Sequence, residues 1–392
     1  MKAARRVRGA ATATLPPLYA AWAAEFLTGP IPAETRSTCD DCAMCDSGND
    51  LARGSSLFFD PRVKCCSYQP RLANFLVGRI LADEDPGLAH GRASVQARID
   101  AIVAVSPLGL GQLPSFTALY QKTAAREFGR SFDLRCPHFV EQGDSGHCGI
   151  WKHRPSVCAT WHCKFVRGAT GAAFWQGLHQ LLSTVEETLS RWCVLQLDPG
   201  TAALQVMFPS PYAKPSVDAP DDAPDLQAHR AVWGTWRGRE SEFYRECARQ
   251  VEALSWTDVL AIGGPDLHIA ARLVGDKYRD LTSKALAQRL RVGSFQALHT
   301  DPQGQRVSSY SGNDPIEVPT ELMELLDYFD GRPVTEALRA MESDRAVRID
   351  RGTLRRLVDF RLLVDSSASD TTKSNPREST PAEGAASGST SA

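Results

Sequence analysis

Cysteines cluster early in this chain, and their spacing constrains the fold more than any other feature. Nine of the eleven cysteines lie within the first 163 residues, in two blocks. The first block is Cys39-x2-Cys42-x2-Cys45 followed by the adjacent pair Cys65-Cys66; the second contains Cys136, Cys148, Cys158 and Cys163. Such density predicts a metal or iron–sulfur site assembled from both blocks.

The overall composition excludes several classes of protein. The 392 residues are 43% hydrophobic and carry a net charge of −2, so no basic stripe favours nucleic acid. No run of 18 or more apolar residues predicts a membrane span. The basic start lacks the continuous apolar stretch of a secretory signal. We therefore expect a cytoplasmic protein, in which thiols stay reduced and clustered cysteines bind metal more often than they form disulfides.

The hydrophobic pattern predicts a mostly helical α+β fold with distinct parts along the chain. These are an N-terminal helix and leader (1–38), a cysteine-rich metal-binding domain (39–170), a helical region with a β-hairpin (171–290), a small winged-helix-like domain (291–365) and a disordered tail (366–392). The hairpin is predicted because two short apolar runs, 194–198 and 204–208, flank Pro199-Gly200. The tail has almost no large apolar residues, so it cannot offset its ordering entropy.

The spacing of the first block suits thiolate-bound metal, and it leaves the choice of metal open. Three cysteines at x2 intervals resemble the three close ligands of a cubane iron–sulfur cluster, with Cys136-Pro137 as a remote fourth ligand. A single Cys-x2-Cys is also a common zinc knuckle. We favour a [4Fe–4S] cluster, with zinc as the alternative.

The number of cysteines raises a second question, because one cubane or one tetrahedral zinc needs four ligands. Either two sites exist or some of the nine cysteines do not bind. On an extended strand, Cys65 and Cys66 would point to opposite faces, so one could bind while the other packs, or each could serve a different metal. Cys193 and Cys247 lie on predicted helices, where we expect core residues.

Other side chains near the cysteines are candidates for supporting roles. We expect His147, His153 and His162 to be loop residues or to tune the metal through hydrogen bonds to sulfur, rather than to bind it. Arg154 could offset the negative charge of several thiolates. Three aromatic residues could shield a cluster from water: Trp151, Trp161 and Phe165.

A cysteine-nucleophile enzyme is a competing interpretation, based on pairs such as His162 and Cys163. It does not explain nine clustered cysteines. The sequence also lacks a dinucleotide fingerprint, a P-loop and a His-Glu-x-x-His motif. Two classes of function remain: a redox or modification role for an iron–sulfur cluster, and a zinc-stabilised binding module without catalysis.

The second block also carries a family resemblance. The run Cys136-Pro-His-Phe, then Cys148-Gly-Ile-Trp-x-x-Arg-Pro-x-x-Cys158, resembles the bacterial cysteine-cluster proteins of the YkgJ type, the CxxCxxCC zinc- or iron-chelating domains. Trp151 stands where that family has tyrosine, and nineteen residues separate Cys45 from Cys65, where the family is compact. The resemblance covers about a third of the chain and implies a bound metal or iron–sulfur cluster.

A weaker resemblance concerns the C-terminal part. The segment 318–364, with its helix, its Asp330-Gly331 turn and its terminal Leu362-Leu363, is similar to peptide-chaperone winged-helix domains of the pyrroloquinoline-quinone type. That resemblance implies a peptide or protein partner rather than nucleic acid.

Overall fold

The computed structural model describes residues 15–45, 58–209 and 222–367. Helices predominate and the sheets are small and antiparallel, so the α+β class is confirmed. The described residues form two compact units, one from 15–161 with 177–275 and the other from 162–176 with 276–367. The predicted disordered tail lies outside the described residues, apart from Ser366 and Ser367.

The first unit contains most of the helices. Two of these helices have residues in both units. The helices are α1 Pro17–Phe26, α2 Asn74–Ala82, α3 Ala89–Asp100, α4 Pro114–Glu127, α5 Ser156–Thr160, α6 Gly168–Leu197, α7 Thr201–Met207, α8 Leu226–Trp233, α9 Glu240–Glu252 and α10 Trp256–Thr282. Residues 168–176 of α6 and 276–282 of α10 belong to the second unit. α10 is interrupted at Gly264, where φ is 64° and the next residue is proline.

The strands of the first unit are short. β1 Leu72–Ala73, β2 Val105–Ser106 and β3 Gly109–Leu110 form an antiparallel sheet in the order β1-β3-β2. β4 Phe139–Gln142 and β5 Ser145–Cys148 form a separate hairpin in which Phe139 pairs with Cys148. This pairing places Cys148, the next cysteine after Cys136, beside the first residue of β4.

The close approach of α2 and α9 organises the core of the first unit. A Cβ on Gly78 would lie 1.8 Å from the Tyr244 carbonyl oxygen, so only glycine permits this spacing. Buried Asn74, at the start of α2, donates from Nδ2 to the carbonyls of Pro107 and Ser190, each at 2.9 Å. These bonds fix α2 to the β2–β3 turn and to α6, because an unpaired amide there would cost free energy.

The predicted hairpin around Pro199-Gly200 is wrong. Residues 194–197 continue α6, and residues 201–207 form α7. Short apolar runs do not distinguish a strand from a buried helical segment. Here Cys193 and Val194 are fully buried and extend the apolar face of α6 that contains Leu189, so burial favours the helix.

The second unit has its own apolar core. Its remaining elements are β6 Arg289–Val292, β7 Gln296–Asp301, β8 Gly304–Ser308, β9 Ile316–Pro319, α11 Thr320–Glu324, β10 Asp330–Pro333, α12 Val334–Arg345, α13 Arg351–Asp359 and β11 Leu363–Asp365. One sheet has the order β10-β6-β11 and the other β7-β8-β9. Buried side chains such as Leu290, Val307 and Phe329 form one cluster. The winged-helix assignment stays a prediction, as do the predicted domain limits.

Among the described residues, no helix is long and apolar enough to cross a membrane.

Candidate metal centre

The first cysteine block is a loop held mainly by its own backbone. Ser37 and Cys42 form an isolated antiparallel bridge, and the Ala43 amide donates to the Arg36 carbonyl at 2.8 Å. The Cys45 amide donates to the Cys42 carbonyl at 3.1 Å. Between residues 35 and 45, Met44 is the one buried side chain. Local hydrogen bonds thus position these three thiols with little help from apolar burial.

Lys64 connects the two blocks. It has a positive φ of 55° and begins a 3-10 helix, Lys64–Ser67, that contains Cys65 and Cys66. Its side chain is buried, and its ammonium donates to the carbonyl oxygens of Cys39 and Gly146, each at 2.6 Å. One buried charge therefore holds the first loop, the 3-10 helix and the β4–β5 hairpin together.

The 3-10 helix changes the expectation for the adjacent cysteines. Cys65 and Cys66 are not on an extended strand, so their side chains do not point to opposite faces. Their thiols instead form a hydrogen bond with each other, which lowers the pKa of Cys65 and raises that of Cys66. The two sulfurs therefore lie in one neighbourhood.

The second cysteine block contacts the first through a backbone hydrogen bond, and α5 contains one of its cysteines. The Cys136 amide donates to the Cys66 carbonyl at 2.6 Å. Cys148 ends β5, opposite Phe139, and Cys158 lies in the middle of α5. These contacts bring thiols from widely separated sequence positions into one region.

Electrostatic interactions join eight of the nine predicted ligands into one group. Cys39 and Cys45 both interact with Cys65; Cys66 interacts with Cys136 and Cys148. Cys158 interacts with Cys148, Cys136 and Cys65. We call these residues the eight-thiol group: Cys39, Cys42, Cys45, Cys65, Cys66, Cys136, Cys148 and Cys158.

Most of the eight thiols resist ionisation in the absence of a metal. Burial raises the pKa of Cys39, Cys136 and Cys148 to about 12 each, and burial likewise raises that of Cys158. Cys42 and Cys65 are the exceptions, since the hydrogen bond from Cys45 lowers the pKa of Cys42 to about 6 and the one from Cys66 lowers that of Cys65. Desolvation disfavours the thiolate, so a buried cation beside these sulfurs would release several protons.

Three buried cationic side chains surround the group. Lys64 is the first, and its charge acts on Cys39, Cys42 and Cys45. Arg154 is 2% exposed, donates to the Trp151 carbonyl at 2.7 Å, and lies 3.7 Å from the centre of the Trp151 ring. Its charge acts on Cys148 and Cys158, as the sequence suggested.

The third buried cation is Arg98, on α3. It donates to the Gly111 carbonyl at 3.0 Å, and its charge lowers the pKa of the Cys136 thiol against the larger effect of burial. The eight-thiol group thus lies among positive charges, which would offset the negative charges of thiolates.

The histidines of the second block have various partners. His138 is buried, and a hydrogen bond of 2.8 Å joins its Nδ1 to the Ser94 hydroxyl oxygen. Burial lowers the pKa of His138 to about 3. His153 bonds the Asp83 carboxylate through Nε2 at 2.7 Å. The bonded ring nitrogen of each has a partner other than sulfur, so a role of His153 in tuning a metal stays a prediction. His147 lies on β5, paired with Val140.

The predicted aromatic shield is distributed over the two units. In the first unit, Trp151 lies under Arg154, and Trp161 packs edge-on against Phe128 with ring centres 6.2 Å apart. In the second, Phe165 packs edge-on against buried His162 at 5.9 Å. The tertiary structure therefore gives these aromatic residues different neighbours despite their closeness in sequence.

The remaining cysteines differ from one another. Cys163 is half-buried in the second unit and stays a predicted ligand. Cys193 and Cys247 are fully buried, which confirms the expectation that they belong to the core. These two also form a side-chain hydrogen bond with each other, which nothing in the sequence indicates. All eleven cysteines are reduced thiols.

The thiols are gathered rather than arranged as a finished coordination sphere. Within residues 15–45, 58–209 and 222–367, no three Cys, His, Asp or Glu side chains are placed to hold a metal ion as they stand. The donor chemistry still fits thiolate-bound metal, since soft sulfur donors gather beside buried cations. Of these thiols, Cys136 is buried, Cys65 is exposed and the others are half-buried. Metal sites of this kind take their ligand geometry as the metal binds.

Sequence reasoning missed Lys64 and Arg98. Lys64 directly precedes Cys65, but that position alone does not distinguish a buried lysine from a solvated one. Arg98 lies on a helix without a sequence signal for burial. Only tertiary contacts reveal these roles.

No family model, no curated protein and no solved structure matches this chain.

Proposed function

We propose that the chain binds iron through the eight-thiol group as an iron–sulfur cluster, and that the cluster serves electron transfer, a redox reaction or a modification reaction. One observation carries this proposal: thiols from both cysteine blocks converge beside the buried charges of Lys64, Arg98 and Arg154. A group of thiolates needs such charges, because ionised sulfur away from water is costly.

The surroundings of the thiols favour metal over a simple buried core. A core cysteine needs no buried cation, as the pair Cys193 and Cys247 illustrates. Lys64 and Arg154 instead carry full charges into the interior, at a cost that an opposite charge would offset. A metal cluster with thiolate ligands supplies that negative charge.

Iron is proposed over zinc because of spacing and number. Cys39, Cys42 and Cys45 supply three close donors, which suits a cubane with one further ligand. Eight thiols exceed the four of a single tetrahedral zinc. When bound, the cluster would supply one-electron chemistry, while Lys64, Arg98 and Arg154 would stabilise its negative charge and limit access of water.

The test is to purify the full chain without oxygen and to measure iron, zinc and acid-labile sulfide. We expect iron and sulfide in stoichiometric amounts, with a visible absorption band that bleaches on reduction. Cys148→Ser and Cys158→Ser should each reduce iron content. The matched control is Cys193→Ser, a buried thiol outside the group, which should keep the iron content of the parent.

Two results would contradict the proposal. One is a colourless protein that holds stoichiometric zinc even after reconstitution with iron and sulfide; that result favours the zinc-stabilised binding module. The other is an iron content that falls equally in Cys148→Ser and Cys193→Ser, because the loss would then reflect general destabilisation. A peptide or protein partner for residues 291–365 stays a prediction.

A further inference from the structure

At three places in the described part of the chain, two thiols form a hydrogen bond with each other. The pairs are Cys42 with Cys45, Cys65 with Cys66, and Cys193 with Cys247. Two sulfurs in contact can also join in a disulfide. This requires a backbone that allows ordinary disulfide geometry and a sulfur that a reaction partner can reach. The three pairs differ in both respects.

The pair in the 3-10 helix has the wrong backbone spacing. Cys65 and Cys66 are consecutive, and the peptide bond between them is trans. Their Cα atoms are therefore about 3.8 Å apart. A disulfide usually joins Cα atoms that are about 4.4–6.8 Å apart. Oxidation of this pair would thus distort the helix that contains it, although Cys65 is exposed.

The pair in the core is out of reach. Cys193 lies on α6 and Cys247 lies on α9, and both side chains are 0% exposed. Thiol–disulfide exchange needs direct attack of one sulfur on another, so a dissolved disulfide cannot react with a fully buried thiol. This pair therefore stays reduced as long as the first unit is folded.

The pair in the first cysteine block meets both conditions. The Cys45 amide donates to the Cys42 carbonyl at 3.1 Å, which closes a turn of four residues. Such a turn keeps its first and last Cα atoms within about 7 Å, a distance that a disulfide can span. Both cysteines are half-buried, so their sulfurs are accessible from solvent. The hydrogen bond that closes the turn is local, so this geometry does not depend on a bound metal.

We propose that Cys42 and Cys45 form a dithiol that reduces disulfide substrates by thiol–disulfide exchange. One of the two sulfurs attacks the substrate disulfide, forms a mixed disulfide and releases the first substrate thiol. The other cysteine attacks the mixed disulfide, closes the Cys42–Cys45 disulfide and releases the second substrate thiol. Two electrons and both thiol hydrogens pass from the pair to the two product thiols. This activity goes beyond the proposed iron site and requires no metal.

The experiment uses oxidised glutathione as the disulfide substrate and the full chain freed of metal with a chelator, without oxygen. Remaining thiols are alkylated, and the disulfides are mapped by mass spectrometry. We expect Cys42–Cys45 to be the predominant linkage, with two molecules of reduced glutathione released for each linkage formed. The pair in the 3-10 helix and the pair in the core should stay reduced.

Two variants test the second step of the exchange. In Cys45→Ser no second thiol can attack the mixed disulfide, so Cys42 should keep one bound glutathione. In Cys42→Ser the same should happen at Cys45. The matched control is Cys193→Ser, which breaks the pair in the core and should form the Cys42–Cys45 linkage as the parent does. The linkage map of the parent decides the question even if a variant does not fold.

Three results would overturn the inference. They are a parent chain without a disulfide, a predominant linkage between any other two cysteines, and a Cys45→Ser variant that keeps no glutathione on Cys42. Iron analysis of a sample without chelator tests the proposed function separately. An iron-containing chain whose Cys42–Cys45 pair does not oxidise refutes this inference alone. A chain that never binds iron but forms the linkage refutes the iron site alone.

Discussion

Two regions of this protein contain well-defined backbone, but different interactions hold them. Residues 276–367 surround a cluster of buried apolar side chains that includes Leu326, Phe329 and Met341. Residues 35–45 bury one side chain, Met44, and depend on backbone hydrogen bonds and on the Lys64 ammonium. The first region is held by the hydrophobic effect. The second has too little apolar area for that, so its order should depend on charge and on a bound metal.

Removal of the metal should have the largest effect on the difference between these two regions. A chelator applied to the metal-loaded protein should greatly increase proteolytic cleavage within residues 39–66, because the thiols would lose the ion that orders them. Cleavage within 318–364 should stay nearly unchanged. Limited proteolysis with mass spectrometry measures both. Equal protection of 39–66 with and without metal would contradict the distinction between the two regions.

The converse test removes apolar contacts from the second unit. Phe329 is 1% exposed, and Phe329→Ala should cost about 3–5 kcal/mol of folding free energy through lost burial and a cavity. Chemical denaturation monitored by hydrogen exchange in 318–364 would measure the loss. Iron content should stay at the parent level. A control is Leu298→Ala, which alters an exposed side chain on β7 and should cost far less.

A smaller effect is expected when Lys64 is replaced, and this tests whether its charge stabilises the loop of residues 35–45. Lys64→Met leaves the carbonyls of Cys39 and Gly146 without their charged donor, at a cost of about 2–3 kcal/mol. Metal content should fall, since the thiolates also lose a compensating charge. Lys64→Arg should restore part of it, and Lys122→Met, at an exposed position of α4, should change nothing. If Lys64→Met keeps full metal content and stability, the buried charge is not what orders the loop.

The smallest effect concerns a carboxylate that supports the second block. The Asp83 carboxylate bonds His153 and the Lys152 ammonium, each at 2.7 Å, and these donors hold its pKa below the usual value against desolvation. A depressed pKa contributes stability above the unfolded value of about 3.9, and this contribution is lost as the pH falls towards the folded value.

Asp83→Asn should therefore cost about 1 kcal/mol at neutral pH, with the difference from the parent shrinking below about pH 4. Denaturant titrations at several pH values would measure this, with exposed Glu84→Gln as the control. A difference that stays constant on acidification would show that the Asp83 charge contributes nothing.

The helical pattern was readable in the sequence wherever an apolar stripe was long. Apolar residues at helical spacing predict helices over 70–82 and 114–128, and these correspond to α2 and α4. Two short strands are predicted at 295–299 and 306–310, on either side of Asp301-Pro-Gln-Gly304, and these correspond to β7 and β8. The hairpin at 194–208 failed because short apolar runs fit a buried helix as well as a strand. The sequence also predicts a single helix over 226–253, and the structure divides it into α8 and α9. A Cβ at Gly234, in the segment between them, would lie 1.9 Å from the Pro199 carbonyl oxygen. Such contacts are non-local and leave no periodic signal.

The amino-acid sequence alone establishes which side chains are available for chemistry. Cysteine spacing identified the thiols, and Arg154 was recognisable as a cation next to Cys158. The three-dimensional fold was needed to show that eight thiols share one region, that Cys65 and Cys66 lie in a 3-10 helix, and that Lys64 bonds to the carbonyls of Cys39 and Gly146. The reason is physical: side-chain chemistry is a local property, whereas burial and charge pairing depend on segments far apart in the chain, such as Tyr19 and Glu186.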